Sequence, residues 1–315
     1  MDPDLRAVAA SQEQIVSRRQ LFASGVTRST LRAHLRAGRW RSWGRHTIAL
    51  HSGPLPMRAA WWRAVIEAGP RAMLDGVSAL QAAGLTGVDS ETVRVSVPRG
   101  ARTPRVAGVT VRQTRRLART DLAGPGLPRV RPPIAVVRAA LWARSDRQAA
   151  YFLTAVVQQR LCRAEDVALA VLEVRRHARR RLLLDVTSDL VRGSQALGEL
   201  DFARLCREHG LPAPTRQSWR RTGRGSAFLD VEWPEFGVAV EIDGVHHLEA
   251  PVMVADALRQ NHVVLERSTV LRIPNLGLRV APAEFMQQVR RALVRGGWKP
   301  DEDVMRSGRG SGRSA

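Results

Sequence analysis

The segment from Ala227 to His247 reads AFLDVEWPEFGVAVEIDGVHH, and it decides the fold of the C-terminal part of the chain. Apolar and polar residues alternate on both sides of Pro234–Gly237, a pattern that predicts two antiparallel strands joined by a short loop. The loop sets the register of the two strands. That register predicts one face of apolar pairs, namely Trp233 with Val238, Val231 with Val240 and Leu229 with Ile242. We expect this face to be buried.

The opposite face of the hairpin carries carboxylates. The same register places Asp230 opposite Glu241, and Asp243 follows on the same side of the strand as Glu241. Two ionised carboxylates that face each other in a ladder repel and destabilise it. A shared proton or a divalent cation with oxygen ligands would offset the repulsion. The alternative is an outer face exposed to water, on which these residues only keep the sheet soluble.

The composition indicates an anionic partner. The length of 315 residues suggests two or three domains. The formal net charge of +21 predicts attraction to phosphate. The most direct interpretation is a nucleic-acid-binding protein, with DNA as the partner. Lys299 is the single lysine, so nearly all of the positive charge comes from arginine. A GC-rich genome would produce such an arginine bias without selection for DNA binding.

The remaining bulk features predict a soluble cytoplasmic protein. Cys162 and Cys206 lack the paired spacing of a disulfide framework or of a zinc motif. The N-terminus has no basic and apolar leader pattern, and no apolar run approaches the roughly 20 residues that a membrane span needs. We therefore expect no membrane partner.

The N-terminal residues predict short helices. The spacings Ser11–Gln14 and Ser17–Gln20 are typical of capping boxes and predict that two helices begin there. Thr27 can cap a third helix, which Gly38 ends.

The third helix has the pattern of a recognition helix. Leu31 and Leu35 lie on one side, while arginines recur every four residues on another side. The predicted DNA-binding residues are these arginines and two that follow the helix: Arg28, Arg32, Arg36, Arg39 and Arg41. A small helical domain, whose arginines face solvent or a protein partner, is the alternative.

A strand, a turn and a second strand are predicted between Trp40 and Leu50, so this region has the pattern of a winged helix. It resembles the N-terminal DNA-binding domain of AbiEi-like abortive-infection antitoxins, chiefly in the order of helices and in the block LRAGRW at 35–40. The resemblance implies DNA binding, and it implies a cognate toxin or a second copy of the chain as further partners.

The fold class that we predict is multidomain α/β. We expect a winged helix-turn-helix domain at 1–53, a mixed and mainly helical α+β middle domain at 54–192, an α/β domain at 193–298 and a disordered tail at 299–315.

In the α/β domain at 193–298, a predicted helix from Ser194 to His209 places Glu199 on the apolar stripe of Phe202 and Cys206. A carboxylate on such a stripe is costly unless it is paired, protonated or bound to metal. The alternative is that Glu199 only favours the positive end of the helix dipole.

Several spaced motifs in 194–297 resemble the uncharacterised endonuclease-like domains related to very-short-patch repair endonucleases. That family belongs to the PD-(D/E)xK, or restriction-endonuclease-like, superfamily. The matching positions are Glu199, Asp230, the run Glu241–Gly244, His247, Asp256, Arg259 and the strand Val270–Arg272. The resemblance implies a mixed sheet flanked by helices, with Glu199, Asp230 and Glu241 as ligands of Mg²⁺ or Mn²⁺.

The chain departs from the superfamily at the lysine expected two residues after the second acid, where Asp243 stands. An aspartate cannot supply a positive charge, so His247, His246 or Arg259 would have to orient the water or stabilise charge. The resemblance therefore implies Glu199, Asp230, Glu241, Asp243, His247 and Arg259 as catalytic residues. A zinc site on the adjacent histidines is a further alternative, but no second ligand pair with zinc spacing is present in the sequence.

Two hypotheses follow. The first is a DNA-binding protein with a metal-dependent endonuclease-like domain, and the second is a non-catalytic DNA-binding regulator or antitoxin with an inactive nuclease-type fold. A purely structural interaction protein would show no salt-sensitive affinity for nucleic acid.

Overall fold

The structure is a computed structural model, and it describes residues 2–101, 103–115, 118–192, 199–221, 227–243, 254, 257–258, 261 and 270–300. The chain divides into two compact units, Met1–Ala139 and Ala140–Ala315.

The first unit begins with short helices and a small sheet. Its elements are α1 (Pro3–Ser11), β1 (Ile15–Ser17), α2 (Arg18–Ala23), α3 (Arg28–Arg36), β2 (Arg41–Ser42) and β3 (Thr47–Ala49). The strands form an antiparallel sheet in the order β1-β3-β2. Its core contains Leu5, Leu21, Leu31 and Ile48, each of them buried.

Two of the three predicted helix starts are confirmed. Ser17 accepts the N–H of Gln20 and the Gln20 side chain accepts the N–H of Ser17, which is the predicted capping box. Thr27 caps α3 as predicted. The prediction that a helix begins at Ser11 is wrong, because α1 ends there.

The physical reason lies in the backbone after Ser11. Glu13 and Gln14 have φ angles of 53° and 61°, which a continuing right-handed helix cannot contain. The chain turns so that Ile15 and Val16 enter the sheet opposite Ala49 and Ile48, where both are buried. Burial of these two side chains therefore outweighs a local capping pattern.

The rest of the first unit is a second small sheet with helices. It contains α4 (Met57–Ala68), β4 (Met73–Leu74), α5 (Gly76–Ala82), β5 (Val93–Pro98), β6 (Val109–Thr114) and α6 (Pro132–Leu141), whose last residues belong to the second unit. The strands lie in the order β4-β5-β6, with β5 and β6 parallel.

A buried carboxylate holds this part of the first unit together. Asp75 caps α5, accepts the hydroxyl of Ser96 at 2.5 Å and pairs with Arg138 Nη1 of α6 at 2.7 Å. Burial raises the pKa of Asp75 above its usual value, although Arg138 and the hydrogen bonds act in the opposite direction.

The second unit contains helices and a mixed sheet. The helices are α7 (Asp146–Gln158), α8 (Ala164–Leu172), α9 (Arg180–Arg192), α10 (Glu199–Glu208), α11 (Asn275–Val280) and α12 (Pro282–Arg295). The strands β7 (Arg216–Arg221), β8 (Ala227–Trp233), β9 (Val238–Asp243) and β10 (Val270–Pro274) lie in the order β10-β9-β8-β7, with β9 and β10 parallel. Arg279 of α11 makes two hydrogen bonds to Asp189 of α9, at 2.9 and 3.2 Å, which join these two helices.

The predicted register of the 227–243 hairpin is confirmed. Trp233 pairs with Val238, Val231 with Val240, Leu229 with Ile242 and Asp230 with Glu241. Gly237 closes the loop in the left-handed region, with a φ angle of 61°. Val231, Trp233, Val240 and Ile242 are buried, and the Trp233 ring lies 6.3 Å from the Phe202 ring of α10.

The chain is thus a multidomain mixed α/β protein with small sheets. Within the described residues, no helix is long and apolar enough to cross a membrane. The division at 53, 192 and 298 stays a prediction.

Candidate nucleic-acid interface and candidate metal site

Helix α3 presents its arginines to solvent. Leu31 is buried in the core, Leu35 packs against it, and Arg28, Arg32 and Arg36 are exposed. Among the described residues, none forms an ion pair with the guanidinium group of any of these three arginines. The arrangement leaves three uncompensated positive charges on one side of a helix, which is a surface that can bind phosphate.

The two arginines that follow α3 contact aromatic or imidazole rings. Arg39 Nε donates to His34 Nδ1 at 3.1 Å, and the His34 ring stacks on Trp40 with 4.0 Å between ring centroids. The Arg41 guanidinium lies 4.3 Å from the centroid of the Trp43 ring. Both arginines remain exposed, so their charges are available while their positions are restricted.

The turn between β2 and β3 is held by a buried glutamate that the sequence analysis did not single out. Glu67 of α4 accepts the backbone N–H groups of Arg45 and His46, at 3.1 and 2.8 Å, and the Thr47 hydroxyl at 2.6 Å. Arg18 of α2 donates to the Arg45 carbonyl from another element, at 2.9 Å. These contacts fix a turn that would otherwise be an exposed loop.

The acidic side of the C-terminal sheet has the predicted backbone arrangement. Asp230 of β8 and Glu241 of β9 are directly paired, and Asp243 is the last residue of β9, paired with Phe228. For Asp230, Asp243 and Glu199 the structure describes the backbone alone. Glu199 is the first described residue of α10, on which Phe202 and Cys206 are buried.

An arginine that the sequence analysis did not assign to the site lies beside Glu241. Arg272 pairs with Glu241 across the parallel β9 and β10 strands, and its Nε lies 3.0 Å from Glu241 Oε2. The two side chains are 63% and 36% exposed, so the ion pair lies at the solvent boundary. Ser218, Asp230, Glu241 and Arg272 therefore occupy one row across the sheet.

A sequence signal for Arg272 exists. It alternates with buried Leu271 and Ile273 on a strand that was predicted, so its position on the polar side could have been read from the pattern. Its proximity to Glu241 could not be predicted from the pattern, because the parallel pairing of β9 with β10 brings together residues that are distant in sequence.

Asn261 supports the position of Arg272. It is buried, and its side chain accepts the Arg272 backbone N–H at 2.9 Å and donates to the Arg272 carbonyl at 2.8 Å. The amide also donates to Gln288 Oε1 of α12 at 3.1 Å. Asn261 thus satisfies the backbone N–H and C=O of Arg272 at the outer edge of β10, as a residue of a neighbouring strand would.

The strand pairing brings two acidic positions close enough to hold a metal ion. Directly paired strand residues have Cβ atoms roughly 4.5–5.5 Å apart, so carboxylates at positions 230 and 241 can share one divalent cation. Within the described residues, no three His, Cys, Asp or Glu side chains come together as a ligand group. His246, His247 and Arg259 lie outside the described residues, so their predicted roles stay predictions.

The cysteines have no activated thiol. Burial raises the pKa of Cys206, on α10, to about 12, and it raises the pKa of Cys162 to about 12 together with the nearby Asp166 charge. Both thiols are therefore protonated near neutral pH and are poor nucleophiles.

Comparisons with known proteins do not place the chain in a family. No protein-family model matches the chain, and no curated protein matches it. Among solved structures, the chain is similar to the crystal structure of the RV2827C protein from Mycobacterium tuberculosis, with a TM-score of 0.37 and 20% identity over 62% of this chain and 82% of that chain. A likeness at this level carries no functional argument.

Proposed function

We propose that this protein binds DNA through an N-terminal winged helix and hydrolyses phosphodiester bonds with a C-terminal restriction-endonuclease-like domain that uses Mg²⁺ or Mn²⁺. The observation that carries the nuclease proposal is the pairing of Asp230 with Glu241 in the register of the hairpin. Two opposed carboxylates repel each other in a ladder, a divalent cation between them would remove that repulsion, and oxygen ligands at this spacing suit Mg²⁺.

The DNA-binding part of the proposal rests on element order and charge. The sequence α1-β1-α2-α3-β2-β3, with a small antiparallel sheet, is the order of a winged helix, and α3 would be its recognition helix. The exposed Arg28, Arg32 and Arg36 would contact phosphates, while the turn that Glu67 holds would be the wing.

In the proposed reaction each residue has a separate role. Glu199, Asp230 and Glu241 would hold the ion, which supplies an acidified water and neutralises charge on the phosphate. Arg272 would keep Glu241 in a fixed orientation through its contact at Oε2 and leave Oε1 for the metal. His247, with His246 and Arg259 as alternatives, would orient the water, because Asp243 cannot take the role of the missing lysine.

A second candidate function has its own support. Arg272 already neutralises part of the Glu241 charge, and Asp243 stands where a catalytic cation is expected. A non-catalytic regulator or antitoxin that uses the same fold to bind DNA, a cognate toxin or a second copy of the chain would tolerate both features.

Metal-dependent nicking separates the two functions. The assay uses supercoiled and single-stranded DNA with Mg²⁺ or Mn²⁺, and it compares the wild type with Asp230→Asn and Glu241→Gln. Glu232→Gln is the matched control, because Glu232 lies on β8 two residues from Asp230 and pairs with Ala239 rather than with a carboxylate. We expect the first two variants to lose nicking and the control to retain it. Absence of cleavage by the wild type, or equal cleavage by all three variants, would refute the nuclease proposal.

DNA binding is tested by its salt dependence. Replacing Arg28, Arg32 and Arg36 by glutamine should reduce the slope of log K against log salt by about 0.9 for each phosphate contact that is lost. The control replaces Arg175, Arg176 and Arg181, which are exposed arginines of the second unit, by glutamine and carries the same change in charge. Equal changes in slope for both triple variants would contradict a specific role for α3.

A further inference from the structure

A cleft in the first unit lies beside the turn that Glu67 holds. Its volume is about 690 Å³, and its walls come from the turn Gly44–His46, the end of α4, the segment Gly69–Ala72 and the residues that follow β5. This volume is in the range of small-molecule sites, which are roughly 300–1,000 Å³. A molecule of the size of a nucleotide would fit a cleft of this volume.

The charges around the cleft are mainly positive. Arg45, Arg63, Arg71 and Arg105 line it, and the described lining includes one acidic residue, Glu67. The Glu67 carboxylate accepts three hydrogen bonds from neutral donors of the turn and keeps its charge, so four arginines and one glutamate leave the lining with a formal charge of +3. Arg45, Arg71 and Arg105 are exposed and have no carboxylate partner among the described residues.

One of the four arginines is fixed in place. Arg63 Nε donates to the Trp43 carbonyl at 2.7 Å, and its Nη1 donates to the Ala107 carbonyl at 3.2 Å. It therefore bridges the β2–β3 hairpin and the segment after β5, and its positive charge is held at the cleft. A fixed guanidinium with further arginines at the same cavity focuses a positive potential into it.

The remaining walls are apolar. Pro70, Val97, Pro98, Pro104 and Val106 line the cleft between the arginines. Ligand sites commonly combine such walls with a few charged groups that fix orientation. Arginine forks bind phosphate oxygens in pairs, which gives both energy and geometry.

We propose that this cleft binds a small phosphorylated molecule that carries a diphosphate group. The arginines hold the phosphate oxygens, and the proline and valine side chains cover the uncharged part of the ligand. The exposed arginines of α3 do not line this cleft, although the turn Gly44–His46, which the proposed function assigns to the wing, forms one of its walls. The ligand class goes beyond the proposed function and does not depend on it.

Calorimetric titration with inorganic pyrophosphate tests the proposal on the full chain at about 0.15 M ionic strength, where exposed charges farther apart than roughly 8 Å are screened. We expect saturable binding of one pyrophosphate per chain. Arg71→Gln combined with Arg105→Gln should weaken the affinity by about tenfold or more, since charge-assisted hydrogen bonds are lost. Arg175→Gln combined with Arg176→Gln is the matched control and should leave the affinity unchanged.

Hydrogen exchange of the wild type gives a second readout that needs no variant. Pyrophosphate should slow exchange in 69–72 and 97–101. Unsaturable binding, equal weakening in both double variants, or unchanged exchange in these segments would overturn the proposal. Parallel loss of duplex DNA affinity and pyrophosphate affinity in the Arg71 and Arg105 variant would also overturn it, because the cleft would then belong to the nucleic-acid interface.

Discussion

Replacement of Glu67 tests whether one buried carboxylate holds the turn between β2 and β3. Glu67 is 7% exposed and accepts the N–H groups of Arg45 and His46 together with the hydroxyl of Thr47. Alanine at this position removes the two carboxylate oxygens that accept all three hydrogen bonds. The turn then has two backbone donors and one buried hydroxyl without their partner.

The expected cost follows from these three contacts. A hydrogen bond to a charged group contributes about 1.5–3 kcal/mol, and an unsatisfied buried donor costs about 1–3 kcal/mol. The Arg45 and His46 side chains are exposed, so water can replace part of the loss at their amides, whereas Thr47 is fully buried. We therefore expect Glu67→Ala to lower the free energy of unfolding by about 3 kcal/mol, and Glu67→Gln by about half of that, because one amide oxygen remains as an acceptor.

Urea denaturation and hydrogen exchange measure the two consequences. The control is Glu165→Ala, because Glu165 is exposed and its contact with Arg163 at 3.5 Å should contribute less than about 1 kcal/mol. Exchange in residues 41–50 should accelerate in Glu67→Ala and remain as in the wild type in the control. A loss of stability below about 0.5 kcal/mol, or unchanged exchange in this segment, would refute the reasoning.

Gly44 supplies an independent check on the same contact. A Cβ atom at Gly44 would overlap the Glu67 carboxylate, so Gly44→Ala must displace it. We expect Gly44→Ala to be destabilising in the wild type and nearly neutral in the Glu67→Ala background. Equal effects in both backgrounds would show that the overlap with the carboxylate is not the cause.

Three further predictions concern other parts of the chain. Asn261→Asp keeps the acceptor for the Arg272 N–H but places a negative charge beside the Arg272 carbonyl. The free energy of unfolding, measured by urea denaturation, should therefore fall by about 2–4 kcal/mol. An unchanged free energy of unfolding would count against the contact between Asn261 and Arg272. Because burial raises the pKa of Asp75 above 3.8, the folded chain binds a proton more tightly there, and the free energy of unfolding should fall as pH rises above 3.8. Asp75→Asn should remove that part of the slope, and an identical slope in both proteins would contradict it. Cys206, with a pKa of about 12, should resist iodoacetamide at pH 8 until urea unfolds the chain, as mass spectrometry would report.

Local patterns were sufficient for several elements. The alternation on each side of Pro234 predicted the register of the hairpin, and the spacing from Ser17 to Gln20 predicted the start of α2. The same rule failed at Ser11, where the pattern is present but the chain leaves the helix. A capping box contributes about 1 kcal/mol, which is less than the burial of Ile15 and Val16 in the sheet.

Part of the candidate site could also be predicted from a local pattern. Asp230 and Glu241 belong to one hairpin, so their pairing follows from a loop length and a period of two. Arg272 was missed as a partner of Glu241, because the two residues are 31 positions apart and meet only through parallel pairing of β9 with β10.

Local sequence patterns were enough to predict the hairpin of 227–243, the caps of α2 and α3, the arginine face of α3 and the strong positive charge. The contacts of Glu67 with a turn some 20 residues away, and of Asp75 with Arg138 at a separation of 63 residues, depend on how distant parts of the chain pack. Periodicity and capping depend on neighbours within one or two turns of the chain, so they can be read from the sequence. A buried carboxylate takes whichever donors packing brings to it, and that choice depends on the whole fold.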